Sequence, residues 1–225
     1  MVDWPNKVVA VLFTGGCNFN CLYCHNSQLI RPSEPWMDEE KLLDDLRQRQ
    51  WLLDGVVITG GEPTLHPDLF AFLERLKGDN WKIKLDTNGT NPELLKRILD
   101  HQLVDYVAMD WKVPLAGDLS ERLLGVTKGL MRKVEESARV LAQSEIEVEW
   151  RTTCSYGLGE NELFQMAEEL KRAVGDRKIN WYLQRYFTPS QGDPDPGQFS
   201  APLKLEELKE IITRLPLTPS LRSWS

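Results

Sequence analysis

Residues 8–26 read VVAVLFTGGCNFNCLYCHN, and this stretch joins an apolar run to three closely spaced cysteines. The run is rich in β-branched and apolar residues and predicts a strand over residues 7–13. Cys17, Cys21 and Cys24 follow it with the spacing Cys-x3-Cys-x2-Cys. The sequence therefore predicts three thiols on one loop at the carboxyl end of the first strand.

The alternation of a short apolar run with a longer helical segment continues along the chain. Further strands are predicted over residues 56–59, 82–86, 105–109, 147–153 and 178–184. The segments between them carry apolar residues three or four positions apart, which predicts amphipathic helices. These stripes are Leu42, Leu46 and Leu53; Leu69, Leu73 and Leu76; Leu94 and Ile98; Leu130, Val134, Ala138 and Leu141; and Leu163, Met166, Leu170 and Val174. The prolines of His66-Pro67 and Asn91-Pro92 predict two helix starts.

Strands separated by helices predict an α/β fold with a parallel sheet and right-handed crossovers. Periodicity leaves open whether the sheet is doubly wound or a partly closed barrel, and in both cases function is expected at the carboxyl ends of the strands. We expect one domain over residues 1–225, with its core over about residues 1–186. A covering segment with one helix near residues 203–214 is expected to follow, and its prolines are Pro189, Pro194, Pro196 and Pro202.

Composition excludes several classes of protein. Of the 225 residues 41% are hydrophobic, which excludes a disordered chain, and no apolar run is long enough to span a membrane. The chain has 34 acidic residues and 27 Lys and Arg, which gives a net charge of −7. A protein with this negative charge is not expected to bind nucleic acid or an anionic membrane. No export signal precedes the first strand, so we expect a cytoplasmic, reducing location. Cys154 lies far from the other cysteines, and no disulfide framework is predicted.

Three thiols on one compact loop suit a soft metal or an iron–sulfur cluster. Three cysteines holding four irons leave one iron open to another ligand. The alternative is a structural zinc site formed by Cys17, Cys21, Cys24 and His25. A zinc loop of that kind normally takes a second ligand pair from elsewhere, and the sequence contains no second Cys/His pair. Iron–sulfur is therefore the favoured interpretation.

A second motif ends the second predicted strand, where residues 56–64 read VVITGGEPT. Gly60 and Gly61 allow the backbone to approach a ligand closely, or they form a tight turn before the next helix. Glu62 and Pro63 complete the motif.

The two motifs together resemble those of radical S-adenosylmethionine (radical SAM) enzymes, which carry CxxxCx(aromatic)C followed by GGEP. The resemblance implies a partial (β/α)6 barrel of the TIM type. It also implies a [4Fe–4S] cluster on Cys17, Cys21 and Cys24, with Tyr23 as the aromatic residue of the motif. Residues 60–63, which include Pro63, would then orient the amino group of S-adenosylmethionine. Such enzymes break the cofactor's carbon–sulfur bond with one electron and use the resulting 5′-deoxyadenosyl radical to abstract hydrogen. Because abstraction of a hydrogen atom needs no acid or base, Glu62 is assigned a positioning role.

Further stretches resemble the activating proteins of anaerobic ribonucleoside-triphosphate reductase. They are VDWP at 2–5, CHN at 24–26, LDTNG at 85–89 and VDYVAMDWK at 104–112. This resemblance implies a glycyl-radical enzyme as protein substrate and an electron donor such as flavodoxin or ferredoxin. Two alternatives stay open within the superfamily: activation of another such enzyme, for example pyruvate formate-lyase, and a small-molecule reaction like that of 7-carboxy-7-deazaguanine synthase. A non-catalytic zinc-binding module is the alternative from outside it.

Polar residues at the other strand ends complete the predicted site. Asp86 and Asp110 end neighbouring strands and would repel one another unless a cation lies between them. Lys112, the cofactor itself, or a monovalent cation at Asp86, Thr87 and Asp110 are the candidates. Other predicted cofactor contacts are Asn88, Arg151 and Gln184, with turn formation as the alternative for Asn88 and a surface salt bridge for Arg151. Cys154 is predicted to be a buried apolar residue.

Overall fold

The computed structural model describes residues 3–32, 37–188 and 199–222, and in them a single parallel sheet is flanked by helices. The strands are β1 (Val9–Thr14), β2 (Gly55–Gly60), β3 (Ile83–Thr87), β4 (Tyr106–Asp110), β5 (Glu147–Cys154), β6 (Asn180–Arg185) and β7 (Ser220–Arg222). They lie in sequence order from β1 to β7, and every neighbouring pair is parallel. The sheet does not close, because no pairing joins β7 to β1. The predicted α/β fold with a partial barrel is confirmed.

The helices follow the predicted stripes of apolar residues, except that Leu53 lies beyond the end of the first helix. They are α1 (Glu39–Gln48), α2 (Leu69–Gly78), α3 (Pro92–Asp100), α4 (Leu119–Leu124), α5 (Lys128–Ala142), α6 (Glu160–Val174) and α7 (Leu205–Ile212), with short 3₁₀ helices at Ser27–Leu29 and Pro63–Leu65. Helix α3 starts as predicted, because the Asn91 side chain accepts a hydrogen bond from the Leu94 amide and Pro92 is the first helical residue. The start predicted at Pro67 is wrong: the 3₁₀ helix lies just before it, and α2 begins only at Leu69.

Alternating residues of each strand face either the helices or the interior of the curved sheet. The side packed against the helices is apolar and includes Ile58, Leu85 and Leu183, each at most 1% exposed. On the interior side, Val57 belongs to a small apolar cluster in which the Trp4 ring lies 5.8 Å from that of Tyr106. Because Tyr106 is the first residue of β4, Trp4 covers the amino ends of the strands. The opposite, carboxyl ends are left for polar residues.

The carboxyl-terminal part contains one helix and one strand among its described residues. Helix α7 lies within the predicted range, whereas β7 was not predicted. Pro189, Pro194 and Pro196 lie outside the described residues, and the assignment of the whole chain to one domain stays a prediction. No helix in the described ranges is long and apolar enough to cross a membrane.

Candidate functional site

The predicted site residues meet around an open cavity at the carboxyl ends of β1 to β6. Its lining includes Cys17, Cys21, Tyr23, Cys24, Gly60, Gly61, Glu62, Asp86, Thr87, Asn88, Asp110, Lys112, Arg151 and Gln184. Pro63 is not among the lining residues and is buried at the start of its 3₁₀ helix. His25 and Thr153 also line the cavity, together with residues for which no role was predicted: Phe19, Asn26, Ile30 and Thr59.

The cysteine loop is held by backbone hydrogen bonds from several directions. The amides of Gly16 and Cys17 donate to the carbonyls of Leu29 and Ile30, at 2.7 and 3.3 Å. On the other side, the amide of Leu22 donates to the carbonyl of Leu123 in α4 at 3.0 Å. The polypeptide therefore shapes this loop through contacts that do not involve the thiols.

Burial raises the pKa of the Cys17 and Cys21 thiols. The pKa of Cys21 is raised to about 12 by desolvation, although Lys112 opposes this shift, and the pKa of Cys17 is raised for the same main reason. Metals bind the thiolate, so loading this loop must release protons. Cys154 is fully buried away from the loop, as predicted, and its pKa is likewise raised to about 12.

The two glycines of the GGEP motif are required by contact with β1 and its loop. A Cβ atom on Gly61 would lie 2.1 Å from the carbonyl oxygen of Gly16, and one on Gly60 2.3 Å from that of Thr14. Gly60 also has a φ of +122°, a conformation that other residues rarely adopt. The amides of Gly61 and Glu62 donate to the carbonyls of Thr14 and Gly16, both at 2.8 Å. The close approach therefore docks the GGEP loop against the start of the cysteine loop.

This contact makes Gly61→Ala a severe change. We expect a loss of about 3 kcal/mol in the free energy of unfolding, because the clash is with backbone that cannot rotate away. Iron content after reconstitution should fall with it. Urea denaturation of the cluster-free protein measures the first effect and iron analysis the second. Gly78→Ala is the matched control: a Cβ there meets nothing within 4 Å, so stability should stay equal or rise by up to about 1 kcal/mol. Equal stability of the two variants would contradict the assigned contact.

Glu62 is a buried hub that joins the GGEP loop to the loop after β3. Its carboxylate accepts hydrogen bonds from the hydroxyls of Thr64 and Thr87, at 2.6 and 2.7 Å, and from the amide of Asn88 at 2.6 Å. Desolvation raises the pKa of Glu62, although these donors oppose the shift. The arrangement agrees with the positioning role predicted for this residue.

Asn18 connects the cysteine loop to the loop after β3, a role that no sequence pattern indicated. Its amide nitrogen donates to the Thr90 hydroxyl at 2.8 Å, and its oxygen accepts from the Asn88 side chain at 2.9 Å. Asn88 in turn accepts from the Thr90 amide at 3.1 Å, which forms the predicted turn. Turn formation and cavity lining therefore coexist at Asn88.

Arg151 lies between the carboxylates of Asp86 and Asp110, 3.0 Å from each. Lys112 adds a second cation on Asp110, at 2.7 Å. Burial alone would raise the pKa of Asp110, but Arg151 and Lys112 outweigh it and hold that pKa below its ordinary value. The side chain of Arg151 is 15% exposed, so the surface salt bridge considered as its alternative is not what forms.

The predicted monovalent cation would have to share its position with Arg151. The Thr87 hydroxyl points to Glu62 instead of the two aspartates, and no group of three or more His, Cys, Asp or Glu in the described ranges could hold a metal ion. The cation at Asp86, Thr87 and Asp110 stays a prediction. The cation that the structure does place between the carboxylates is a guanidinium.

Two features of the cavity wall fit a bound cofactor. Asp86 Oδ1 and the Tyr23 hydroxyl are buried without a hydrogen-bond partner. The three motif thiols line the same cavity, and thiolates are the usual ligands of iron–sulfur clusters. In such a cluster each thiolate binds a different iron, so the ligands need not converge on one ion.

Comparison with known families gives one match over most of the chain. The model described as Radical SAM superfamily matches residues 11–170, more than half of the chain. This range contains the cysteine loop, the GGEP motif and the strand ends that carry Asp86, Asp110 and Arg151.

Curated relatives cover shorter stretches. A Methanocaldococcus jannaschii protein, named provisionally as a glycyl-radical enzyme activating enzyme, is 40% identical over 113 residues, 49% of this chain and 46% of that protein. A Halobacterium salinarum protein, named provisionally as GTP 3′,8-cyclase, is 37% identical over 89 residues, which are 36% of this chain and 25% of that protein. The 7-carboxy-7-deazaguanine synthase of Methanothermobacter thermautotrophicus is 34% identical over 100 residues, which are 44% of this chain and 39% of that protein. These matches span less than half of each relative.

Solved structures share the fold at low identity. Streptococcus suis SuiB bound to the precursor peptide SuiA has a TM-score of 0.69 at 16% identity, covering 96% of this chain and 48% of that chain. The structure of SuiB with S-adenosylmethionine has a TM-score of 0.67 at 16% identity and covers 96% of this chain and 50% of that chain. At this level of identity the likeness concerns the fold alone.

Proposed function

Since the chain belongs to the radical SAM superfamily, we propose that it is an activase that cleaves S-adenosylmethionine and generates a glycyl radical on a partner enzyme. Enzymes of this superfamily use a [4Fe–4S] cluster together with S-adenosylmethionine. The observation that carries the proposal is the meeting of the three thiols, the GGEP loop and the Asp86–Arg151–Asp110 cluster in one open cavity.

Cys17, Cys21 and Cys24 would hold the cluster in this assignment. A reduced cluster held there would provide one electron for cleavage of a carbon–sulfur bond of S-adenosylmethionine. The residues around it would bind and orient the cofactor, with backbone groups of Gly60 and Gly61 on one side. Asp86 Oδ1 is buried without a hydrogen-bond donor, since the ammonium of Lys84 lies 3.5 Å away as an ion pair, and it is suited to accept a hydrogen bond from the ligand.

The charged residues give this cavity a defined polarity. Lys112 and Arg151 supply two cations and Asp86 and Asp110 two anions, so the four groups balance one another. A cofactor that carries an ammonium, a carboxylate and a sulfonium can pair with both signs of charge in such a wall. Gln184 lines the opposite part of the cavity from β6 and is assigned to the adenosyl group.

The glycyl-radical assignment draws on the relative named provisionally as a glycyl-radical enzyme activating enzyme and on the resemblance of residues 2–112 to reductase activases. The proposed substrate is a glycine in a loop of the partner, most closely the anaerobic ribonucleoside-triphosphate reductase. Its Cα hydrogen atom would move to the 5′-deoxyadenosyl radical, which gives 5′-deoxyadenosine and leaves the unpaired electron on glycine. A flavodoxin or ferredoxin would supply the electron.

The test is anaerobic incubation of the reconstituted protein with S-adenosylmethionine, a reductant and the candidate reductase, followed by electron paramagnetic resonance. We expect a glycyl radical doublet on the partner, formed with about one 5′-deoxyadenosine per radical, because each abstraction uses one cofactor molecule. The control partner carries Ala in place of the acceptor glycine and should give no doublet. Cofactor cleavage without a radical on any glycyl-radical enzyme tested would overturn the activase assignment while leaving the cofactor chemistry intact.

A reaction on a small molecule is the second candidate, and similarity to the GTP 3′,8-cyclase and 7-carboxy-7-deazaguanine synthase relatives favours it. It predicts multiple turnovers with a low-molecular-weight product and no radical on a protein. Incubation with GTP, read by mass spectrometry of the products, separates it from the activase. The zinc-binding module is set aside, because the family match covers both motifs.

A further inference from the structure

A line of alternating charges crosses the interior of the sheet and ends at the candidate site. We call it the charge ladder, and in order its members are Arg222, Glu149, Lys84, Asp86, Arg151, Asp110 and Lys112. Neighbouring members lie between 2.7 and 3.5 Å apart. The last four members line the cavity, whereas the first three lie deeper in the barrel or on β7 and have no part in the assignment above.

Glu149 anchors the deep end of the ladder. It is fully buried, and Arg222 binds it through two hydrogen bonds, from Nη1 to Oε1 at 3.1 Å and from Nη2 to Oε2 at 2.8 Å. The Tyr106 hydroxyl donates to Oε2 at 2.9 Å. Burial alone would raise the pKa of Glu149, but Arg222 and Lys84 outweigh it and lower that pKa to about 2. The carboxylate is therefore ionised and needs its cations.

Lys84 transmits this anchoring to the site. Its side chain has no exposed surface, and its ammonium lies 3.3 Å from Glu149 Oε1 and 3.5 Å from Asp86 Oδ1. It also donates to the backbone carbonyl of Asp3. Asp86 uses its other oxygen, Oδ2, to bind Arg151 at 3.0 Å. One buried ammonium is thus shared between the anchor and the carboxylate that positions Arg151.

Arg222 is held in a fixed plane on β7. Its guanidinium stacks on the Tyr182 ring with 3.8 Å to the centroid, and β7 pairs with β6 in parallel register. A planar guanidinium that binds both oxygens of a carboxylate fixes the orientation of that carboxylate as well as its charge. The carboxyl-terminal strand is therefore tied to the interior of the barrel by an oriented ion pair.

We propose that Arg222 is a positioning residue for the cofactor site, acting through Glu149 and Lys84 on Asp86 and Arg151. The inference rests on the proposed function, since it assigns the cavity to S-adenosylmethionine. Without Arg222, Glu149 stays buried, and among the members of the ladder Lys84 alone remains in direct ion-pair contact with it. Lys84 is then drawn toward Glu149 and away from Asp86, because an underpaired buried charge is costly. Asp86 and Arg151 lose their fixed geometry as a result.

The test compares reconstituted holoenzymes of Arg222→Gln, Arg222→Lys and wild type. Affinity for S-adenosylmethionine is read from the change in the electron paramagnetic resonance spectrum of the reduced cluster during titration. For Arg222→Gln we expect a Kd about tenfold higher, equivalent to one misplaced charge-assisted hydrogen bond, with kcat for 5′-deoxyadenosine within about threefold of wild type. Arg222→Lys keeps the charge but not the bidentate geometry and should give an intermediate Kd.

Controls separate this role from a merely structural one. Arg214→Gln removes a carboxyl-terminal arginine whose ion pair with Glu160 is 2.7 Å long but exposed, and should leave Kd unchanged. Iron content and the spectrum without S-adenosylmethionine should match in all variants. Should Arg222→Gln not fold, Tyr106→Phe removes another donor to Glu149 and should raise Kd about threefold.

Each result has one interpretation. An unchanged Kd in Arg222→Gln, or in Tyr106→Phe where it serves as the replacement, overturns the positioning role and leaves the proposed function standing. The same rise in Arg214→Gln also overturns that role, because it would show a general effect on the fold. A wild-type holoenzyme whose spectrum does not respond to S-adenosylmethionine overturns the proposed function and this inference together.

Discussion

Alanine at Cys17, Cys21 or Cys24 is expected to abolish reductive cleavage of S-adenosylmethionine, with a loss of about 10³-fold or more. The reason is chemical: no other thiol lines the cavity in the part of the chain that the structure describes, so nothing can replace a missing ligand. Each variant should also lose the iron and sulfide of the reconstituted cluster. The measurements are iron analysis and quantification of 5′-deoxyadenosine under anaerobic, reducing conditions. A factor of this size corresponds to about 4 kcal/mol in the activation barrier.

Cys154→Ala is the matched control for these variants. The pKa of Cys154 is raised, as are those of Cys17 and Cys21, but Cys154 lies outside the cavity and is buried in the hydrophobic core. Its replacement should cost about 1–2 kcal/mol of stability through the lost volume and leave iron content and cleavage unchanged. Cleavage that persists in any of the three loop variants would contradict the cluster assignment. Loss of the cluster in Cys154→Ala would contradict the division of roles.

The elements that could be predicted from the sequence are those with a local pattern of apolar residues that indicates which side is buried. The six predicted strands each contain a run with apolar residues that pack in or against the hydrophobic core, and their bounds differ from the prediction by two residues or fewer. Strand β7 was missed because Ser220, Leu221 and Arg222 contain no such run. It exists through its pairing with β6 and the ion pair to Glu149. Helix α4, with six residues, is too short to show a periodic stripe.

The site was predictable as a set of residues but not as a geometry. Parallel strands bring their carboxyl ends to one edge, which is why Asp86 and Asp110 could be placed together from the sequence. Which cation lies between them depends on the register of β4 and β5, where Asp110 pairs with Arg151. Local sequence does not encode that register. The same holds for Lys84, because a lysine in a strand ordinarily predicts a solvated edge rather than a fully buried ammonium.

Arg151→Met is expected to have the second-largest effect, on both stability and cofactor binding. The change keeps an unbranched apolar stem but leaves the carboxylates of Asp86 and Asp110 without their shared cation. Removing one member of a buried ionic cluster costs about 3–5 kcal/mol, and here the two remaining charges also repel each other. Urea denaturation of the cluster-free protein should show this loss. Affinity of the holoenzyme for S-adenosylmethionine should fall about 100-fold, since the balanced charges of the cavity wall become an excess of negative charge.

A combined variant separates repulsion from loss of a direct contact. In Asp86→Asn/Asp110→Asn/Arg151→Met neither carboxylate charge remains, whereas Lys84 and Lys112 keep theirs. Because Arg151 has no carboxylate of Asp86 or Asp110 to pair with in the double-asparagine background, replacing it there should cost about 1 kcal/mol or less of stability. Cofactor affinity should stay low, because the charged donors and acceptors of the wall are still missing. If replacing Arg151 costs as much stability in the double-asparagine background as in wild type, charge repulsion is not the cause and Arg151 acts through packing. If the triple variant instead regains both stability and affinity for S-adenosylmethionine relative to Arg151→Met, Arg151 serves the site only by neutralising the two carboxylates.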